Sequence, residues 1–463
     1  MKIRAQLVSG GARVLVNNRA FDTTYPYDVW KSFPKALRRP FADTLAYFFT
    51  AHFGLEKPRR LFYEFPPPQA LSLFVHGLFY SLPEAVLEIP EAKFTSRGLM
   101  KSLFNSGFQT YFHGHPHPTP MVKPSPLNHR AIIPFSFGKD SLLTYSVAKE
   151  IGLTPIPIFF VEPESILENI NKEKLRVSFQ KEFGETIIPL PIPLGKLRQG
   201  KGLLWGWDLL LTQYTLLLLP YLYSTKAGYF FWSNEQSTNE TESDKEGFTI
   251  NTTFEQTVGW TLNLNNLLRQ FSSSTMLGSL IEPLHELAIL SILHRRYAEI
   301  GKYQLSCFND ESISRHQRWC GRCYECARVY IFLLAIGIDP KRVGFVDDML
   351  ALSKKNLYYM FDAKELTRPL NILFQSWGER LIAFYMAYRR GVKGDLIELF
   401  KKQLLELVIK QKDELFTQYF TIHSTETIPN SLRTKVLRIY RAEMRRLKRE
   451  LTQEKLAPIE KFS

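Results

Sequence analysis

Two kinds of hydrophobic patterning divide the chain. From Ala131 onward apolar runs alternate with helical periodicities: Ala131 to Phe135, a helix over Leu142 to Ile151, Ile156 to Val161, a helix near Ile166 to Phe183, then Thr186 to Ile192. A long apolar helix around Asp208 to Tyr223 and the run Tyr229 to Trp232 continue the series. Strands alternating with helices of about ten or more residues predict a parallel sheet with crossover helices.

Before that series the pattern is different. The stretch MKIRAQLVSGGARVLVNN alternates like a strand, and apolar stretches near Phe41 to Phe53 and Gln69 to Tyr80 read as helices. FHGHPHPTPMVKPSP, Phe112 to Pro126, has no hydrophobic period and is broken by proline, which makes it a connector. From about Ile338 the chain reads as helical, with LIAFYMAYRRG and DLIELFKKQLLELVIKQ ahead of a basic terminal stretch. The expected organisation is an N-terminal α+β domain over residues 1–125, a parallel-sheet Rossmann-like α/β domain over 126–340, and a helical C-terminal region over 341–463 with a basic terminal helix.

Composition narrows the class. A chain of 463 residues with 45% hydrophobic and 22% charged residues is that of an ordinary folded protein with well-buried cores. The most apolar window, Leu209 to Leu222, is shorter than a bilayer span and is interrupted by Gln213, Tyr214 and Pro220, so no membrane span is expected. All four cysteines lie between Cys307 and Cys326, a clustering that points to a metal site and a reducing cytoplasm rather than to disulfides. The net charge of +14 suits acidic small substrates, nucleic acid or an anionic surface. From Arg433 the last thirty-one residues carry ten Lys or Arg against four Glu, so much of the imbalance is local.

The first candidate site is SFGKDS, after the first strand of the series and before a helix. Ligands of parallel sheets bind outside the carboxyl ends of the strands. Backbone N–H groups at a helix start form an anion site, Gly138 permits close approach, Ser136 and Ser141 add hydroxyls, and Lys139 adds a cation. Asp140 suits a Mg²⁺ contact or a helix cap. The loop is not the Walker pattern. SNEQSTNE, Ser233 to Glu240, follows the run at Tyr229 and faces the same crevice, where Asn234 adds a polar contact and Glu235 suits Mg²⁺ or general-base work, or else a solvated strand end.

The second candidate is Cys307, followed after twelve residues by Cys320, Cys323 and Cys326 with two residues between neighbours. Four thiolates in this frame match tetrahedral Zn²⁺, and Gly321 lets the knuckle turn. An iron–sulfur cluster is the alternative. With no open position, the metal is expected to be structural.

SFGKDS resembles the SGGxDS pyrophosphate loop of the N-type ATP pyrophosphatases, with Phe137 where that pattern has glycine. The resemblance implies a HUP-type domain that binds ATP with Mg²⁺ through Ser136, Phe137, Gly138, Lys139, Asp140, Ser141 and Asn234, with Lys139, Asp140 and Glu235 acting on the transfer of AMP. The cysteine frame is similar to that of 7-cyano-7-deazaguanine synthases, across about Ala131 to Pro340. The order SFGKDS, SNEQSTNE, LGSLIEPLHELAI, WCGRCYEC resembles the ATP-dependent UDP-N-acetylmuramoyl-L-alanyl-L-glutamate epimerases over roughly Ile133 to Gly337. A Lys-Pro-Phe-Glu-Cys segment follows in that family; the nearest text here, Thr367 to Asn371, has neither Glu nor Cys, which implies a changed substrate or reaction. The partner implied is a small-molecule carboxylate or nucleotide-linked substrate. The alternatives are modification of a deazapurine or RNA base, and a non-catalytic, zinc-stabilised RNA-binding protein.

Other charged and imidazole groups have plainer readings. Glu255, Glu282 and Glu286 are weaker candidates for the crevice that read first as surface charges near helices, and His113, His115 and His117, which alternate as metal ligands could, read as part of the connector. The helix from Leu432 to Leu451 has an apolar stripe of Val436, Tyr440, Leu447 and Leu451, with arginines and lysines around the rest. It packs its stripe on the protein or offers its charge to RNA.

Overall fold

The computed structural model describes residues 1–54, 60–88, 95–106, 109–116, 118–123, 126–163, 165–198, 209–244, 246–251, 253–307, 317–361, 377–453 and 456–459. The N-terminal sheet joins β1 (Lys2–Val8), β2 (Gly11–Val16), β3 (Arg19–Thr24), β4 (Leu61–Tyr63) and β5 (Thr110–Phe112) in the order β3-β2-β1-β4-β5. The reading of one strand here missed four others. Two of them had a turn signal, since the hairpins β1–β2 and β2–β3 turn on Gly10 (φ 81°) and Asn17 (φ 52°), residue types that tolerate positive φ.

Four helices belong to this region: α1 (Tyr27–Ser32), α2 (Lys35–Phe48), α3 (Leu71–Glu88) and α4 (Ser96–Ser106). The helix expected from Phe41 begins earlier, because α2 runs straight through Pro40. Proline removes one ladder hydrogen bond, and burial of Leu37, Phe41 and Leu45 offsets that loss.

The second sheet carries the expected alternation. β6 (Asn128–Pro134), α5 (Lys139–Glu150), β7 (Thr154–Val161), α6 (Ile166–Phe183), β8 (Ile188–Pro191), α7 (Leu210–Thr225) and β9 (Ala227–Phe231) follow one another. The small ribbon β10 (Glu242–Ser243) and β11 (Thr249–Ile250), α8 (Val258–Gln270) and β12 (Met276–Gly278) come next. All five sheet strands are parallel, in the order β12-β9-β6-β7-β8. This is a Rossmann-like α/β arrangement: the chain winds outward from β6 to β8, then returns to the other side of β6 through β9. The short edge strand β12 was not anticipated.

The remaining helices are α9 (Glu286–Arg296), α10 (Ala298–Gly301), α11 (Tyr324–Ala335), α12 (Trp377–Arg389), α13 (Asp395–Gln403), α14 (Leu405–Tyr419) and α15 (Asn430–Leu451). Alternating strand residues feed two cores. Ala131, Ile133, Phe135, Phe159 and Phe231 join a core that runs on through α9, α11, α12 and α15 to Leu456. Ile132, Ile158 and Phe230 join the core shared by α7, α8 and the N-terminal sheet. The parallel sheet is thus covered on both faces, as its apolar strands require. Among the described residues no helix is long and apolar enough to cross a membrane.

Candidate functional site

The chain leaves β6 into SFGKDS and enters α5 at once, with Gly138 as the residue before the helix and no side chain capping its first turn. Phe137 has φ 62°, in the left-handed region that favours glycine and costs another residue about 1–2 kcal/mol. Its ring is fully buried, 4.9 Å from Phe135 and 6.1 Å from Phe179, so core packing offsets the strain and the ring lies beneath the loop. Ser136 Oγ accepts the Gly138 N–H at 3.3 Å and lies 3.4 Å from Ser141 Oγ. A β-carbon on Gly138 would come 3.2 Å from that Ser136 oxygen.

Between this loop, the ends of β7 and β9, and α6 and α7 lies a crevice of about 360 Å³. Ser136, Asp140, Ser141 and Asn234 line it. On the far wall Phe160 and Tyr214 stack with centroids 4.0 Å apart, beside Trp232. Glu162 at the end of β7 is paired with Arg198 at 2.8 Å and accepts the Tyr214 hydroxyl. Sequence reasoning missed these residues, because nothing in their local text separates a crevice wall from a core.

Lys139 and Glu235 sit behind the crevice in a buried charged cluster. Lys139 Nζ is 2.8 and 2.9 Å from the two Asp140 oxygens, 3.5 Å from Glu235 Oε1 and 3.8 Å from Glu286 Oε1. Arg328 holds the other Glu286 oxygen at 3.3 Å and Glu325 at 2.6 Å. Glu379, fully buried, accepts the Leu287 N–H at 2.5 Å. The carboxylates of Asp140, Glu235, Glu286 and Glu325 thus face Lys139, Arg328 and the neighbouring Arg380, while Glu379 lies beside the carboxylates of Glu286 and Glu235.

The helices explain how so many acids are tolerated. Asp140, Glu286, Glu325 and Glu379 each lie in the first turn of a different helix, α5, α9, α11 and α12. Four positive helix ends therefore converge here, each favouring a negative charge in its first turn. Burial still pushes the acids up: Asp140 and Glu379 are raised by it, Glu235 goes up to about 8 against the pull of Lys139, and Glu240 up to about 7. Burial drives His285 down to about 3, leaving a neutral imidazole whose Nδ1 lacks a hydrogen bond among the described residues. Glu235 Oε2 and Glu286 Oε1 are likewise buried acceptors without a hydrogen bond among those residues.

The cysteines form a second centre. The sulfurs of Cys307, Cys320, Cys323 and Cys326 all lie within 4.8 Å of one another. Cys326 is 3.6 Å from Cys320 and 3.5 Å from Cys323, close to the edge of about 3.8 Å that a tetrahedron of roughly 2.3 Å zinc–sulfur bonds would have. The N–H groups of Arg322 and Cys326 donate to Cys320 and Cys323 Sγ, each at 3.4 Å, as knuckle backbones do. Gly321 has φ 64°, and a β-carbon there would lie 2.0 Å from Asp347 Oδ2. Four buried or half-buried thiols this close cannot all ionise without a cation, so the donor set fits a metal such as zinc.

Three glutamates expected on the surface are not there. Glu286 and Glu282 are each 2% exposed, and Glu255 is half-buried. Glu282 accepts the N–H groups of Glu426 and Thr427 at 2.9 and 2.7 Å, anchoring the turn before α15. Glu255 accepts the N–H groups of Leu211 and Thr212 at 3.1 and 3.0 Å, closing the start of α7. Glu282 and Glu255 each face orphan backbone donors from remote segments, a demand that no local pattern shows. His113 and His115 are exposed in the connector, while His117 and the segment Thr367 to Asn371 lie outside the described residues. No family model matches this chain, and no curated protein or solved structure matches it either.

Proposed function

We propose that the crevice holds the pyrophosphate end of ATP and that the protein transfers AMP to a carboxylate of a small substrate. The reading rests on the resemblance of SFGKDS to a HUP-type pyrophosphate loop, and one observation carries it. The uncapped first turn of α5 opens into a crevice where the parallel sheet reverses its strand order, beside β6 and β9. That is where open α/β sheets bind ligands, and uncapped N–H groups at a positive helix end favour a phosphate.

In this reading the substrate carboxylate attacks the α phosphorus, the bond to the bridging oxygen breaks, and its electrons leave with pyrophosphate. The N–H groups of Lys139, Asp140 and Ser141 are the donors in place before reaction, and the Ser136 and Ser141 hydroxyls, bonded within the loop, turn toward the ligand when it binds. Asp140 on the crevice wall, backed by Glu235 with its unpartnered oxygen, would hold Mg²⁺, which when bound offsets charge on the departing pyrophosphate. Lys139 keeps Asp140 paired until a cation or phosphate replaces that contact. The four cysteines would hold zinc away from the chemistry. The acyl adenylate would acidify its neighbouring C–H, as an epimerase-like reaction needs, or accept a nucleophile.

The test is incubation with α-labelled ATP, Mg²⁺ and a small-metabolite extract, followed by separation of products. AMP and pyrophosphate are expected, and ADP in their place would end the adenylation reading. A second reading, in which RNA is substrate or partner, has one favouring observation. The exposed face of α15 presents Lys435, Arg438, Arg441, Arg445, Lys448 and Arg449, while Glu443 and Glu450 turn inward to Arg296 and Arg295.

A further inference from the structure

The charged cluster and the cysteine centre share one helix. Cys323 precedes α11 and Cys326 lies in its first turn, and Arg328 follows within that same turn and a half. From there the chain of contacts runs from Arg328 to Glu286 at 3.3 Å, from Glu286 to Lys139 at 3.8 Å, and from Lys139 to Asp140 at 2.8 Å. We propose that Arg328 is a positioning residue through which the cysteine centre sets the charge that SFGKDS offers an anion. The inference rests on the pyrophosphate-loop reading for its ligand but not for its geometry.

The physical basis is a competition for one ammonium. Lys139 is 5% exposed and has three carboxylates within ion-pair distance, so its position follows whichever carboxylate is least neutralised. Arg328 neutralises Glu286, which leaves Lys139 closest to Asp140, the one of the three that lines the crevice. Without Arg328, Glu286 would draw Lys139 inward and leave Asp140 as a bare negative charge facing the phosphate. Arg328 in turn stands where α11 begins, and its placement depends on Cys323 and Cys326 being held. The ion pair with Glu325 on the same helix does not reach the loop, so Glu286 is the contact that links them, while Arg328 also acts through space on Glu235 and Asp140.

Two consequences separate this relay from ordinary packing. Neutralising Glu286 should make Arg328 dispensable, and metal and anion should each favour binding of the other, because coupling between sites is reciprocal. The experiment is calorimetric titration of inorganic pyrophosphate into the metal-loaded full chain, for wild type, Arg328→Lys, Arg328→Met and Arg328→Met with Glu286→Gln. Arg328→Met should bind between about 5-fold and 150-fold more weakly, the usual span of site-to-site coupling. Arg328→Lys should keep most of the affinity, and Glu286→Gln should restore it in the Met background. Equal binding by wild type and Arg328→Met, or a loss that Glu286→Gln does not recover, overturns the relay. If wild type binds no pyrophosphate the loop reading falls, and the relay is then decided at the metal. Lys139→Met should hold the metal several-fold more weakly than wild type in equilibrium competition with a chelating dye, and equal affinities overturn the proposal.

Discussion

The cysteine centre and the charged cluster are neighbours built in opposite ways. All four sulfurs come from the twenty residues between Cys307 and Cys326, and the turn at Gly321 gathers Cys320, Cys323 and Cys326 within seven residues of sequence. The cluster draws Lys139 and Asp140 from α5, Glu235 from the loop after β9, Glu286 from α9, Arg328 from α11 and Glu379 from α12. A local site depends on one strong ligand; a dispersed one depends on many helices arriving together. The first should fail abruptly on losing a single residue, and the second should respond by degrees.

The largest effect expected is at the knuckle. Metal binding stabilises isolated zinc-finger peptides by about 10–16 kcal/mol, so Cys320→Ser should release the ion and lower the melting temperature more than any single substitution in the loop or the charged cluster. Elemental analysis beside a thermal melt checks it, and purified wild type that carries no metal, or metal-loaded wild type that melts like the variant, would mean that no metal stabilises the fold. Iron with visible absorbance in place of zinc would identify a cluster.

Next comes the loop itself. Phe137→Gly removes a buried ring worth about 3–5 kcal/mol and relieves left-handed strain of about 1–2 kcal/mol, for a net loss of about 1–4 kcal/mol in denaturant unfolding. A variant as stable as wild type would mean that burial of the ring does no more than balance the strain at Phe137. Ser141→Ala acts on the ligand, whereas Lys139→Ala also strips the buried carboxylates of Asp140, Glu235 and Glu286 of a shared cation and should lower stability as well. Loss of a charged hydrogen bond of about 1.5–3 kcal/mol predicts roughly 10-fold to 100-fold weaker ATP binding, and unchanged affinity in both would take the loop out of the mechanism.

The cluster also predicts a pH effect opposite in sign to that of the knuckle, whose thiolates hold a metal less well as pH falls. Burial raises Glu235 from 4.5 to about 8, so the folded state keeps a proton that the unfolded chain loses above pH 4.5. Its contribution is fully present below that pH and is lost as pH rises through about 8. Glu235→Gln should therefore gain stability over wild type between pH 5 and 8, with the gap widening upward, and parallel melting curves would contradict it. The smallest expected effect lies outside both centres. Arg438→Gln, Arg441→Gln and Arg445→Gln, all exposed, should each change stability by less than about 0.5 kcal/mol, and a parallel drop in salt-sensitive RNA retention would favour the second reading. Truncation at Arg433 is a poorer test, because α15 buries eight apolar side chains from Leu432 to Leu451.

What the sequence determined alone was whatever physics keeps local. Apolar runs spaced by helical periods became β6 to β9 with α5 to α7, the cysteine frame became four converging sulfurs, and SFGKDS became an uncapped helix start. Short strands of the N-terminal sheet escaped notice, since three-residue runs such as β4 and β5 carry too little pattern to separate from a loop. Only the tertiary structure decided that Phe137 lies beneath the loop, that Glu282 and Glu255 secure remote backbone, and that Lys139 shares its charge with Glu286. The reason is the same in each case. Burial and charge compensation belong to the space where separate helices meet, and the sequence around any one residue does not say which helix ends will arrive there.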